Sequence, residues 1–254
     1  MKLGLVTYNM AKDWDVDTII QMCEKTGFQG VELRTSHAHK VEVILSDGER
    51  KVVKQKFADS KVEIAGLGSA FEYHSTDQAE VRRNIDGTKD YIVLAKDVGA
   101  PGVKVRPNGL PQGVPIEKTL EQIGLALKEC GEFAKDYGIE VRLEVHGGGT
   151  SHVPYIRKIL DIADCKSVVA CWNSNMGEVE NGSIIKNFEY LVGRIGLVHI
   201  TDLYSSYPWR ELFQLLRGLG YNGFTLAEIA GSSDPERVMR YYKAVWDLLT
   251  ADLK

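Results

Sequence analysis

Of the 254 residues only four are cysteines, Cys23, Cys130, Cys165 and Cys171, and none of them stand in C-x-x-C spacing. That spacing excludes a zinc knuckle and offers no disulfide framework, so a reducing compartment is expected. Long apolar runs are missing as well. None reaches the roughly 18 residues of a membrane span, and Leu3 to Thr7 is too short for a signal-peptide core. A cytoplasmic protein with no membrane partner is the expectation. Charge of one sign is also lacking: 31 basic residues face 35 acidic ones, for a net charge of −4, with no long block of either. This balance counts against nucleic acid as a partner. Nor does a Pro/Ser-rich linker or a shift in composition divide the chain. Residues 1–254 are therefore expected to form one domain, as α/β barrels of about 250 residues do.

What is present is a repeat of short β-like runs separated by helical patterns. The runs are Leu3 to Tyr8, Gly30 to Arg34, Val62 to Leu67, Gly102 to Arg106, Ile139 to His146, Val168 to Asn173, Gly196 to Ile200 and Gly223 to Ile229. Ser46 with Glu49, Ser75 with Gln78 and Ser233 with Glu236 match the reciprocal capping box that opens a helix. Pro115 and Pro208 suit first-turn positions. Gly27, Gly99, Gly138 and Gly220 stand where left-handed caps would close helices. Eight β-loop-α units without interruption predict a closed (β/α)8 TIM barrel. A doubly wound open sheet is the alternative, but Tyr8 to Ala11 is not the glycine-rich phosphate turn that fold would want.

In a barrel the outer strand face packs on helices, so polar residues at alternate positions point inward. The fifth run shows this most clearly, with Val141, Leu143 and Val145 alternating with Arg142, Glu144 and His146 before Gly147, Gly148 and Gly149. The glycines are read as room for a ligand. The same rule turns Glu32, Arg34, Lys104 and Arg106 inward. Lys104 is expected to pair with Glu32, and Arg142 to support Glu144 from one layer below. Trp172 is expected to face the helices.

Barrel enzymes act at the carboxyl ends of their strands. Glu144, Asn173, His199 and Glu228 close four successive strands there, and two carboxylates, an amide oxygen and an imidazole suit a hard or borderline divalent cation. Around them, Arg106 and Asn108 are candidates for binding a phosphate or carboxylate on a substrate. His37, His39 and His74 lie on mouth loops, and His146 and Asn175 stand beside the central residues. Aromatics after the strand ends, among them Trp14, Phe71, Tyr73, Tyr204, Tyr207 and Trp209, are open to stacking on a sugar, covering the barrel top or forming a dimer contact.

With Glu144 on strand five, Asn173 on six, His199 on seven and Glu228 on eight, the layout resembles the xylose isomerase-like sugar phosphate isomerase/epimerase family over nearly the whole chain. The resemblance implies a divalent metal (Mn, Mg, Co or Zn, with Mn favoured) held by these four residues. It further implies that Glu144 and Glu228 move a proton beside a sugar carbonyl. The substrate set expected on this basis is His37, His74, Arg106, Asn108, His146 and Asn175. The chain departs from the family at Asn173, where an Asp is usual, and at Met176, where a His is usual, so metal affinity should be weak. A small sugar or sugar derivative is the expected partner, together with self-association as a homodimer or homotetramer. Rival readings on the same scaffold are a lyase that expels a β-substituent from an oxidised sugar, an apurinic-type endonuclease, and a sugar-binding barrel without catalysis.

Overall fold

The computed structural model describes residues 1–251. Eight parallel strands close in sequence order: β1 (Lys2–Val6), β2 (Gly30–Arg34), β3 (Glu63–Glu72), β4 (Gly102–Arg106), β5 (Glu140–Glu144), β6 (Val168–Asn173), β7 (Ile195–Ile200) and β8 (Phe224–Ala227), with β8 pairing back onto β1. The helices that follow them are α1 (Val16–Thr26), α2 (Asp47–Ala58), α3 (Gln78–Val98), α4 (Ile116–Tyr137), α5 (Val153–Ala163), α6 (Ile185–Glu189), α7 (Trp209–Gly218) and α8 (Pro235–Thr250). No helix among the described residues is long and apolar enough to cross a membrane.

Local signals set most of the boundaries. Ser46 and Glu49 form the reciprocal box that opens α2. The other two expected boxes do not form, because a nearby aspartate supplies the acceptor instead. Asp77 caps α3 through Ala79 N, and Asp234 caps α8 through Arg237 N. Pro115 and Pro208 occupy the cap positions themselves, one residue before the first turn. Gly27, Gly99 and Gly138 end α1, α3 and α4 in the left-handed region, while Gly220 lies one residue beyond the cap of α7. The third strand is longer than its apolar run and ends at Glu72. Pairing with β4 carries it on past a register shift between Gly68 and Glu72.

Two apolar regions result from the alternation. The larger fills the space between strands and helices, where Trp172 is fully buried against Phe188. The smaller plugs the inside of the barrel with Val6, Ala65, Cys171, Leu197 and Leu226. Polar inward residues share the interior with this plug, and β3 makes room for them with glycine. A Cβ on Gly68 would lie 2.7 Å from Glu32 Oε1, closer than a carbon and an oxygen can approach. Gly68→Ala is therefore expected to lower stability by about 1–3 kcal/mol through overpacking. Urea unfolding is the check, and an unchanged midpoint would show that Glu32 is free to move aside.

Candidate active site

The inward residues of β2, β4, β5, β6 and β7 meet in one buried cluster. Glu32 and His199 are fully enclosed, and Lys104, Glu144 and Asn173 are nearly so. Lys104 Nζ donates to Glu144 Oε2 at 2.8 Å. The other oxygen, Glu144 Oε1, lies 3.3 Å from His199 Nδ1 and accepts from Asn173 Nδ2 at 3.3 Å. Glu228, just past the end of β8, brings Oε2 to 3.6 Å from the same His199 Nδ1. On the far side of the ring, His199 Nε2 donates to Glu32 Oε2 at 3.3 Å.

This arrangement fits a cation. His199 Nδ1 faces two carboxylates and has no hydrogen-bond partner although it is fully buried. Burial alone would lower the imidazole pKa, but the ionisable groups against it, Cys171 and Glu32 first, hold it well above its ordinary value, so a cation bound at Nδ1 would take the place of a proton. One donor atom each from Glu144, His199 and Glu228 lies within 4.8 Å of the others. A carboxylate–imidazole–carboxylate set suits a divalent ion, with the Asn173 amide alongside. The electrostatics agree. Burial alone would raise the Glu144 carboxyl, but the Lys104 ammonium holds it well below the usual carboxylate range, so it stays an anion. Burial would likewise lower Lys104, and Glu144 with Glu32 keeps it raised and charged.

A family model described as a xylose isomerase-like TIM barrel matches residues 20–245. The chain belongs to that family. Among solved structures, the barrel is similar to an IolI protein with a bound zinc atom (TM-score 0.83, 16% identity, 100% of this chain and 99% of the other covered). It is also similar to an L-ribulose 3-epimerase (TM-score 0.82, 15% identity, 98% and 94% covered). A D-psicose 3-epimerase from Clostridium cellulolyticum H10 is a further neighbour (TM-score 0.80, 15% identity, 100% of both chains covered). No curated protein matches the sequence.

In this xylose isomerase-like barrel several inward residues take partners other than those expected. Lys104 bonds Glu144 rather than Glu32, because β4 and β5 are neighbours in register and β2 lies two strands away. Arg142 does not support Glu144. It reaches Glu140 at 2.8 Å and the Ala65 carbonyl at 2.6 Å, one layer lower. Arg106, expected to meet an anionic substrate, is held by Glu72 at 2.5 Å. Glu72 also accepts from Asn108 Nδ2 at 2.5 Å, and Asn108 Oδ1 accepts from His146 Nδ1 at 2.8 Å. His74 stands 3.8 Å from the same carboxylate. Four of the expected substrate residues therefore form one network tying together the ends of β3, β4 and β5.

Of the three glycines after β5, Gly148 faces open space, while Gly147 and Gly149 are closed in by the protein itself. A Cβ on Gly147, at φ 96°, would strike the Asn108 backbone at 2.6 Å, and one on Gly149 would meet Leu110 at 2.8 Å. His37 lies apart, its Nδ1 bonded to Thr7 Oγ1 at 2.8 Å. His39 is structural, donating to the Arg34 carbonyl and accepting from Val41 N. Of the mouth aromatics, Tyr73, Tyr207 and Trp209 are buried in packing, while Tyr204 is exposed.

Glu178 carries no sequence signal and turns out to be a buried brace. Its Oε1 accepts from Asn175 Nδ2 at 3.0 Å and its Oε2 from Tyr207 Oη at 2.9 Å, while Trp172 Nε1 donates to the Tyr207 oxygen at 3.1 Å. Asn175 also donates to the carbonyl of Val145, the residue after Glu144, at 2.8 Å.

Two outcomes follow from these contacts. Lys104→Met strands a buried carboxylate and is expected to cost about 3–5 kcal/mol. Adding Glu144→Gln should recover part of that loss in a double-mutant cycle by urea unfolding, and strict additivity would mean the two do not interact. For Glu178, burial pushes the carboxyl up to about 8 from its ordinary 4.5. The native chain thus holds a proton that the unfolded chain releases, a stabilisation complete below pH 4.5 and lost as pH rises towards 8. Glu178→Gln is expected to flatten the fall in stability across that window. An unchanged slope in unfolding midpoints between pH 5 and 9 would count against the assignment.

Proposed function

We propose that this chain is one (β/α)8 domain acting as a divalent-metal-dependent isomerase or epimerase of a small sugar or sugar derivative, moving a proton beside a carbonyl. The observation that carries this reading is the free Nδ1 of His199, buried between Glu144 and Glu228. The IolI protein with its bound zinc atom supports a metal, and the epimerases that share the fold support a sugar.

Glu144 Oε1, His199 Nδ1 and a Glu228 oxygen would hold the ion, with Asn173 adjacent. Once bound, it would supply Lewis acidity to a substrate carbonyl oxygen. Glu228 is the member of the set that solvent reaches, at 24% side-chain exposure against 3% for Glu144. It is therefore the carboxylate placed to take a proton from the adjacent carbon. Glu144 is clamped through Oε2 by Lys104 and contributes a fixed negative charge facing the ring of His199. Glu32 keeps that ring oriented through Nε2.

The test combines metal analysis of the purified protein with deuterium exchange from D2O into D-fructose, L-ribulose and D-psicose. Exchange is expected in the metal-loaded protein, to disappear on chelation and to return on reloading. Glu228→Gln should slow it about 10²- to 10⁴-fold. His199→Ala should weaken metal binding in a calorimetric titration, a readout independent of turnover. A protein that takes up no divalent ion, or whose metal affinity is untouched by His199→Ala, would sink the reading.

A further inference from the structure

The lysines and arginines of the strands are Lys2, Arg34, Lys104, Arg106 and Arg142. Each of the others has a carboxylate: Lys2 pairs with Glu63 at 2.5 Å, Lys104 with Glu144 at 2.8 Å, Arg106 with Glu72 at 2.5 Å and Arg142 with Glu140 at 2.8 Å. Arg34 alone has no acidic partner within 4.0 Å among the described residues. The nearby Glu42 is already engaged. It accepts from Thr35 Oγ1, from Ser36 N and from the Tyr91 hydroxyl.

The position of Arg34 gives this unpaired charge a purpose. Arg34 follows Glu32 by two residues on the inward face of β2, and Glu32 is the residue bonded to His199. Arg34 therefore stands one step nearer the open end than the cluster that holds the candidate metal point. Its guanidinium lies over the ring of Tyr8, 5.0 Å from the centroid. A cation held by the face of an aromatic ring is not neutralised by it, so the guanidinium N–H groups stay free to meet an anion. Its backbone is fixed too: Arg34 N donates to Thr7 Oγ1 at 3.0 Å.

Neighbouring strands bring the charge towards the reacting carboxylate. β1 lies between β2 and β8, and Asn9 N donates to the carbonyl of Ile229, the residue after Glu228, at 3.1 Å. Tyr8 and Arg34 thus occupy the side of the mouth from which Glu228 emerges. His37 is stacked with Tyr8, at 6.4 Å between centroids. Burial, and then the charge of Arg34, push this histidine down to about 4 against the opposing pull of Asp13 and Glu42, leaving it uncharged at neutral pH. Arg34 is accordingly the strand-end cation available on this wall, held in place where the exposed loop lysines Lys12 and Lys40 are not, and a planar fork of donors matches a carboxylate or a phosphate.

We propose that Arg34 determines specificity by binding an anionic group on the sugar, so that the substrate carries a carboxylate or a phosphate. The assignment rests on reading the mouth as a sugar site, and it moves the anion contact from Arg106 on β4, whose charge Glu72 already balances, to Arg34 on β2, two strands away.

The test is equilibrium binding by calorimetry of D-glucuronate, D-fructose 6-phosphate and D-fructose to the metal-loaded wild type, Arg34→Gln and Arg34→Lys. The wild type is expected to bind at least one anionic probe about tenfold or more tightly than D-fructose. Arg34→Gln should erase that preference while leaving D-fructose affinity and metal content unchanged, and Arg34→Lys should keep part of it. Preference for glucuronate identifies a carboxylate, and preference for fructose 6-phosphate identifies a phosphate; either outcome supports the subsite. Equal binding of anionic and neutral sugars by the wild type, or a preference that survives Arg34→Gln, overturns it. An anion preference lost in Arg34→Gln without deuterium exchange on any sugar would keep the subsite and remove the proposed reaction. Deuterium exchange on the sugars together with an anion preference that Arg34→Gln leaves intact would do the reverse.

Discussion

The bond between Lys104 and Glu144 is the constraint on which the centre of this barrel depends. Both groups are buried, and ions taken out of water are tolerated only when partners compensate for the lost hydration. The pair cannot compensate alone. Glu32, Glu144 and Glu228 bring three negative charges to the cluster and Lys104 brings one positive charge, which leaves an excess of two when His199 is neutral. A divalent cation, as proposed for this site, brings that sum to zero. Asn173 then has a physical reason. An aspartate there would add a charge that Lys104 and one divalent ion could not balance, whereas the amide donates to Glu144 instead.

Much of this arrangement was legible in the sequence because β-strands alternate. The pattern of Val141 to His146 placed Glu144 on the inward face, and the same periodicity on the sixth and seventh strands put Asn173 and His199 beside it. Strand alternation carries no information on which inward charges pair. Lys104 was expected to take Glu32, yet register makes β5 its neighbour and Glu144 its partner. Nor does it mark where a strand continues as irregular pairing. Glu72 lies past the apolar run of β3, and with it the network that claims Arg106, Asn108 and His146 was hidden. Glu178 sits in a loop after β6, and its environment is made by Tyr207 and Asn175 from two other points in the chain. Such a contact has no local signature.

The two networks also decide which part of the mouth remains open to chemistry. Glu72, Arg106, Asn108 and His146 tie the ends of β3, β4 and β5 to one another, and Asn175 with Glu178 and Tyr207 ties the segment after β6 to the ends of β5 and β7. Most of their polar groups are spent on each other, Arg106 Nε being an exception, so a ligand contacting this wall would compete with bonds already made. The remaining arc, over β8, β1 and β2, is different. Glu228 is the solvent-reached member of the cluster, Tyr8 is 40% exposed and Arg34 has no counterion. A substrate binding along this arc would bring its carbonyl to Glu228 and its far end to Arg34 without displacing an existing contact. The cross-tied wall holds the ends of β3 to β7 together, and under the proposed reading the open arc would supply the groups that meet the substrate.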